Sequence, residues 1–199
     1  MRKVKNLLMA TIFIFFVIFS FNIVEAASNF DLKTLDFDAS LKTNGDMHIV
    51  EIWTVKINGE TNTLFKTFEK DYSKYKGIRD VQVSEIKSDG EEFQFTRIDN
   101  LMYHVTTDCY YGLDNDYGNY EIAWGINLST GTKTYKVSYI VEEAVSRYQN
   151  MAEIYWQFIG NDFEAAADTV TGKITLPSDV KELDNLRVWG HGRIKWRNK

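Results

Sequence analysis

An all-β fold, an antiparallel β-sandwich of immunoglobulin-like or jelly-roll-like type with short helical crossings, is predicted by three features of the sequence. Apolar and polar residues alternate with period two in several segments. Turn chemistry recurs between those segments, and no stretch sustains a long 3.6-residue period.

The first strand is read from Leu35, Phe37, Ala39 and Leu41, which alternate with Asp36, Asp38 and Ser40. Thr43-Asn44-Gly45-Asp46 comes next, and Asn-Gly is a strong hairpin signal because both residues tolerate positive φ. The return strand spans Met47 to Ile57. Its more apolar face carries Met47, Ile49, Glu51, Trp53, Val55 and Ile57, which sets Glu51 on the core side. A carboxylate there needs partners or a raised pKa. Asn58-Gly59 closes the strand.

Further strands are expected at Val81 to Ile86, Phe93 to Ile98, Met102 to Thr107 and Tyr120 to Ile126. Others are expected at Thr132 to Glu142, Ile154 to Ile159, Thr169 to Leu176 and Leu186 to Trp189. Ser88-Asp89-Gly90, Asp116-Tyr117-Gly118-Asn119 and Ser129-Thr130-Gly131 supply turns between them. Ala144 to Glu153 and Asp162 to Ala167 each read as a short helix or irregular crossing. No repeat, linker or internal boundary interrupts the chain, so residues 27–199 are expected to form one sandwich domain.

Residues 1–26 have the character of an export signal. Arg2, Lys3 and Lys5 precede an apolar stretch from Leu7 to Val24, and Val24-Glu25-Ala26 offers small residues where signal peptidase reads. Cleavage is expected before Ala27, with an uncleaved anchor as the other reading. The remaining chain carries 20 basic and 27 acidic residues, a net charge of −7. That balance argues against binding to nucleic-acid phosphates. Cys109 is the only cysteine, so no intramolecular disulfide is possible. It reads as a partly buried thiol; His48, His104 and His191 show no spacing that would activate it.

From Gly131 onward the residues resemble a known family. Gly131-Thr132-Lys133-Thr134-Tyr135-Lys136-Val137-Ser138-Tyr139-Ile140-Val141 is followed by Ile154-Tyr155-Trp156-Gln157-Phe158-Ile159-Gly160 and by Val170-Thr171-Gly172-Lys173-Ile174-Thr175-Leu176-Pro177. Upstream lie Asn44-Gly45-Asp46-Met47-His48-Ile49-Val50-Glu51 and Gly77-Ile78-Arg79-Asp80. This order resembles the exported N-terminal domain of bacterial predicted membrane proteins known as domain of unknown function 2207. The resemblance implies an extracytoplasmic β-sandwich on a membrane protein, and it brings no catalytic residues. Members continue into transmembrane helices, whereas this sequence stops at Lys199, which suggests a truncated gene, a fragment or a free secreted form.

The residues raise three chemistries. Asp108 to Glu121, with Asp114, Asn115, Asp116, Asn119 and Glu121, offers oxygens for calcium, yet Gly118 stands where the loop pattern needs an acid. A solvated hairpin tip accounts for the same residues. Glu51, Glu121 and Glu153 are the acids that a wall-directed glycoside hydrolase could use, if any two faced each other. Trp53, Trp124, Tyr155, Trp156 and Trp189 could stack on sugars, although core anchors are the plainer role. No zinc, P-loop, dinucleotide or nucleophile-elbow motif is present. The expectation is a non-enzymatic extracytoplasmic module with no cofactor and no assigned catalytic or metal site. Its partner would be a surface protein or a wall polymer; the alternative is the glycoside hydrolase.

Overall fold

The computed structural model describes residues 29–99, 108–114, 118–128, 130–159, 167–177 and 186–188. Period-two alternation is reproduced most faithfully in the first hairpin. Strand β1 (Phe30–Leu41) and strand β2 (Met47–Ile57) pair antiparallel from Leu41↔Met47 to Phe30↔Ile57. Gly45 adopts φ 94°, the left-handed conformation the tight connection requires. All six residues predicted for the inner face of β2 are buried, Glu51 among them.

Strands β3 (Thr61–Glu69), β4 (Gly77–Ile86), β5 (Glu92–Gln94), β6 (Thr96–Arg97), β7 (Tyr110–Asp114) and β8 (Asn119–Leu128) come next. Then come β9 (Gly131–Glu142), β10 (Val145–Arg147), β11 (Ala152–Ile154) and β12 (Thr169–Thr175). A six-stranded sheet has the order β12-β1-β2-β9-β4-β5, and a four-stranded sheet has the order β3-β8-β7-β6. Their inner faces share one core. Trp53 and Tyr135 of the larger sheet meet Trp124 of the smaller, with ring centroids 5.3 and 6.0 Å apart. Phe68 of β3 meets Tyr139 of β9 edge-on at 5.2 Å. Tyr111 of β7 donates its hydroxyl to the Val81 carbonyl of β4 at 3.0 Å, a polar tie across the same layer. The described residues are all-β, and the six-stranded and four-stranded sheets form a sandwich.

Several details differ from the sequence expectation. The described residues contain no helix. Where a crossing is expected at Ala144 to Glu153, β10 and β11 form a two-stranded hairpin, with Val145↔Ile154 and Arg147↔Ala152 in register. Pairing is also not wholly antiparallel, because β12 runs parallel to β1 and β6 parallel to β7. The single strand expected over Phe93 to Ile98 divides at Phe95. Its first half pairs with β4 in the large sheet and its second with β7 in the small one, so the chain changes sheets there. The strand expected from Ile154 ends at that residue, and residues 186–188 are not in a strand. Strands β3 and β7 are additional to those expected. The export segment, Met102 to Thr107, and residues 162–166 of the second expected crossing lie outside the described residues.

Candidate functional site

The sequence expectation places one carboxylate, Glu51, inside the core, and the fold supplies its partners from three strands. β2 points Glu51 inward between Ile49 and Trp53. β9 sets Tyr139 beside it, because Ile49 pairs with Tyr139 and Glu51 with Val137. β3, in the facing sheet, brings Lys66. Lys66 and Glu51 form an ion pair at 3% and 0% exposure, so the pair bridges the two sheets out of water.

Both carboxylate oxygens and the ammonium have further partners. Tyr139 donates its hydroxyl to Glu51 Oε1 at 2.7 Å, and Trp53 Nε1 donates to Oε2 at 2.9 Å. Lys66 Nζ donates to the Phe158 carbonyl oxygen at 2.8 Å. Its charge also sits 5.3 to 6.0 Å from the ring centroids of Phe68, Tyr139 and Trp53. Burial, and then the adjacent Glu51 carboxylate, hold the Tyr139 phenol well above its ordinary pKa, so it remains a donor. A charge pair in such a setting needs this full set of hydrogen bonds to persist. The arrangement can lock two sheets together around an acid that is fully buried.

The other acids do not join it. Glu121 alternates with the buried Tyr120, Ile122 and Trp124, so it faces away from the core and lies opposite Asp114 in the β7–β8 ladder. Glu153 is exposed on β11. Among the described residues no three His, Cys, Asp or Glu side chains gather to hold a metal ion. Asn115 and Asp116 lie outside the described residues.

The aromatic candidates also separate. Trp53 and Trp124 are core residues, and the Trp124 indole N–H is buried with no hydrogen-bond partner among the described residues. Trp156 packs against Phe68 and Tyr75. Of the described candidates only Tyr155 is open to solvent, with Lys74 Nζ 4.5 Å from its ring centroid. Trp189, His104 and His191 lie outside the described residues. Cys109 is half-buried at φ 61°, and burial, followed by the nearby Asp108, raises its thiol pKa. His48 belongs to β2, where it lines a shallow polar groove on the outer sheet face with Gln82, Glu92 and Lys136.

A second constellation joins two of the motifs quoted above. Arg79 of Gly77-Ile78-Arg79-Asp80 bonds Asp46 Oδ2 of Asn44-Gly45-Asp46 at 2.7 Å, and Glu142 Oε1 at 2.8 Å. It also pairs with Asp80, a residue at φ 52° where the β4–β9 register shifts. The Glu143 backbone N–H, Asn44 and Arg79 together hold the Asp46 carboxyl below its ordinary pKa. These groups satisfy one another and brace one end of the sheet.

Lys66 is the residue that sequence reasoning missed. Leu64-x-Lys66-x-Phe68 has the period of an inward-facing strand, and an inward Glu51 calls for an inward cation. The register shift between Thr61 and Thr63 obscures that alternation at its start.

Comparison with curated proteins finds no match. Among solved structures the chain is similar to that of a "putative protease" from Parabacteroides distasonis ATCC 8503, at 12% identity and a TM-score of 0.34. That likeness covers 59% of this chain and 24% of the other, and it carries no argument about fold or activity. The model of the predicted membrane protein (DUF2207) N-terminal domain matches residues 31–199, which take in nearly all of the sandwich. The chain therefore belongs to the DUF2207 family of predicted membrane proteins, as its N-terminal domain.

Proposed function

We propose that this chain is a non-enzymatic extracytoplasmic domain of a membrane-associated protein, serving to bind or position a partner at the cell surface. The supporting observation is the fate of Glu51. Of the three acids that the sequence offers to a hydrolase, Glu51 is fully enclosed, and Lys66, Tyr139 and Trp53 occupy both of its oxygens. A glycosidase acid must reach the glycosidic oxygen and face a second carboxylate across the sugar. Glu121 and Glu153 lie on other surfaces. Family membership supports the association with a membrane, while no helix among the described residues is long and apolar enough to cross one. Side chains suited to contact are on the outside, notably Tyr72, Tyr148, Met151 and Tyr155.

The test incubates purified chain with cell-wall polymer and with membranes from the producing cells. Retention on either, without release of soluble sugar, is the expected result. Sugar release that Glu51→Gln abolishes without lowering thermal stability would establish the hydrolase instead.

A further inference from the structure

Strand β12 ends the six-stranded sheet, all seven of its residues are exposed, and no described strand pairs with its outer margin. It pairs with β1 over seven consecutive positions, Thr34↔Thr169 to Ser40↔Thr175, without a bulge. It contains no proline. Its one charged residue, Lys173, leans back toward Asp38 of β1 at 3.7 Å, and Thr171 bonds Asp36 of the same strand. Natural edges are commonly shortened, bulged, charged or covered, because an open ladder of N–H and C=O groups templates pairing. By contrast β5 and β6 are only three and two residues long, and β3 carries a register shift.

The core-facing side of β12 is apolar and open. Val170 and Ile174 are 39% and 48% exposed, although they pair with the buried Leu35 and Ala39. Between them the Phe37 ring crosses Gly172, where any Cβ would overlap it. Phe37 in turn stacks on Phe158 at 3.8 Å, and Phe158 is fixed through its carbonyl by Lys66.

The sequence of the strand is nearly palindromic about its glycine: Thr169-Val170-Thr171-Gly172-Lys173-Ile174-Thr175. We propose that β12 pairs antiparallel with the same strand of a second copy, about a twofold axis that passes between the two Gly172 residues, perpendicular to the sheet. Val170 then faces the partner's Ile174, twice over, and Thr169 faces the partner's Thr175. A twofold interface must be self-complementary in this sense. Shifting the pairing by one residue would set Val170 against the partner's Thr175 and lose the apolar match. The result is one continuous twelve-stranded sheet with both small sheets on the same side.

The test is sedimentation equilibrium on the chain purified from cells expressing residues 1–199, with two double variants at these exposed positions. Wild type is expected at twice the monomer mass at high concentration. V170K/I174K places lysine opposite lysine and should weaken association about tenfold or more. V170E/I174K places the introduced glutamate of each copy opposite the introduced lysine of the other and should restore association. Within one chain these positions are four residues apart on a strand, too far to pair, so rescue reports contact between copies. A monomeric wild type, a dimer untouched by V170K/I174K, or equal loss in both variants would each overturn the proposal. Far-UV circular dichroism spectra that match wild type confirm that the variants fold.

Discussion

Lys66 on β3 and Glu51 on β2 form an ion pair between facing sheets, sealed from water by the rings of Trp53, Phe68 and Tyr139. The pair joins two layers that also meet through ring contacts, Trp53 on Trp124 and Phe68 on Tyr139. Removing water raises the cost of each charge, and the same removal strengthens their attraction and their hydrogen bonds. The pair thus adds a polar tie to the apolar contacts between the two sheets.

Tyr139 provides the first prediction. Its hydroxyl bonds a charged acceptor inside the core, so Tyr139→Phe should cost about 1.5–3 kcal/mol, measured by urea unfolding. The raised pKa gives a direction with pH. A folded phenol that holds its proton more tightly than an unfolded one contributes stability below the ordinary value of 10.0, lost as pH climbs above it. Burial acts the same way on Tyr75 and Tyr135. Spectrophotometric titration should therefore show these phenols ionising together with alkaline unfolding rather than before it.

Asp46 sets the behaviour in acid. Its folded pKa lies below the ordinary 3.8, chiefly through the Glu143 backbone N–H. Its contribution is complete above that ordinary value and disappears as pH falls through the lower folded value. Asp46→Asn should reduce stability at neutral pH and flatten its fall in acid, as followed by urea midpoints across the acid range.

Gly172 is where the backbone of β12 meets the Phe37 ring. Gly172→Ala should cost about 1–3 kcal/mol, because the ring must leave its stack on Phe158. A smaller residue at position 37 should recover part of that loss, which thermal unfolding of G172A and G172A/F37L would detect.

Residues whose inward neighbours are all apolar are legible in the sequence. Met47 to Ile57 keeps five of its six inward positions apolar, so its limits and its buried face can be read directly, and Glu51 is placed inward by its neighbours. β3 is hidden because its inward positions include a lysine, and the value of that lysine depends on a strand in another sheet. β7 reads as a solvated loop since Asp108 precedes it and Asp114 ends it, although Tyr111 and Leu113 lie in its ladder. The hairpin at Val145 to Ile154 is too short for periodicity to separate strand from crossing. Parallel pairing of β12 with β1 joins residues 135 positions apart, as Asp36↔Thr171 shows, and no local pattern encodes it. That Glu51, Glu121 and Glu153 form no common site is a matter of facing, which alternation does encode, and of topology, which it does not.

A double-mutant cycle on Glu51 and Lys66, followed by urea unfolding, tests the role of the pair most directly. Lys66→Met leaves a buried carboxylate uncompensated, and Glu51→Gln leaves a buried ammonium; each should cost about 3–5 kcal/mol. E51Q/K66M removes both charges and keeps one acceptor oxygen for the Trp53 N–H, while the amide NH2 can donate to the Tyr139 hydroxyl, so it should recover most of the combined loss. Near-neutral single variants, or losses that simply add, would contradict a sealed structural pair and reopen Glu51 to another role.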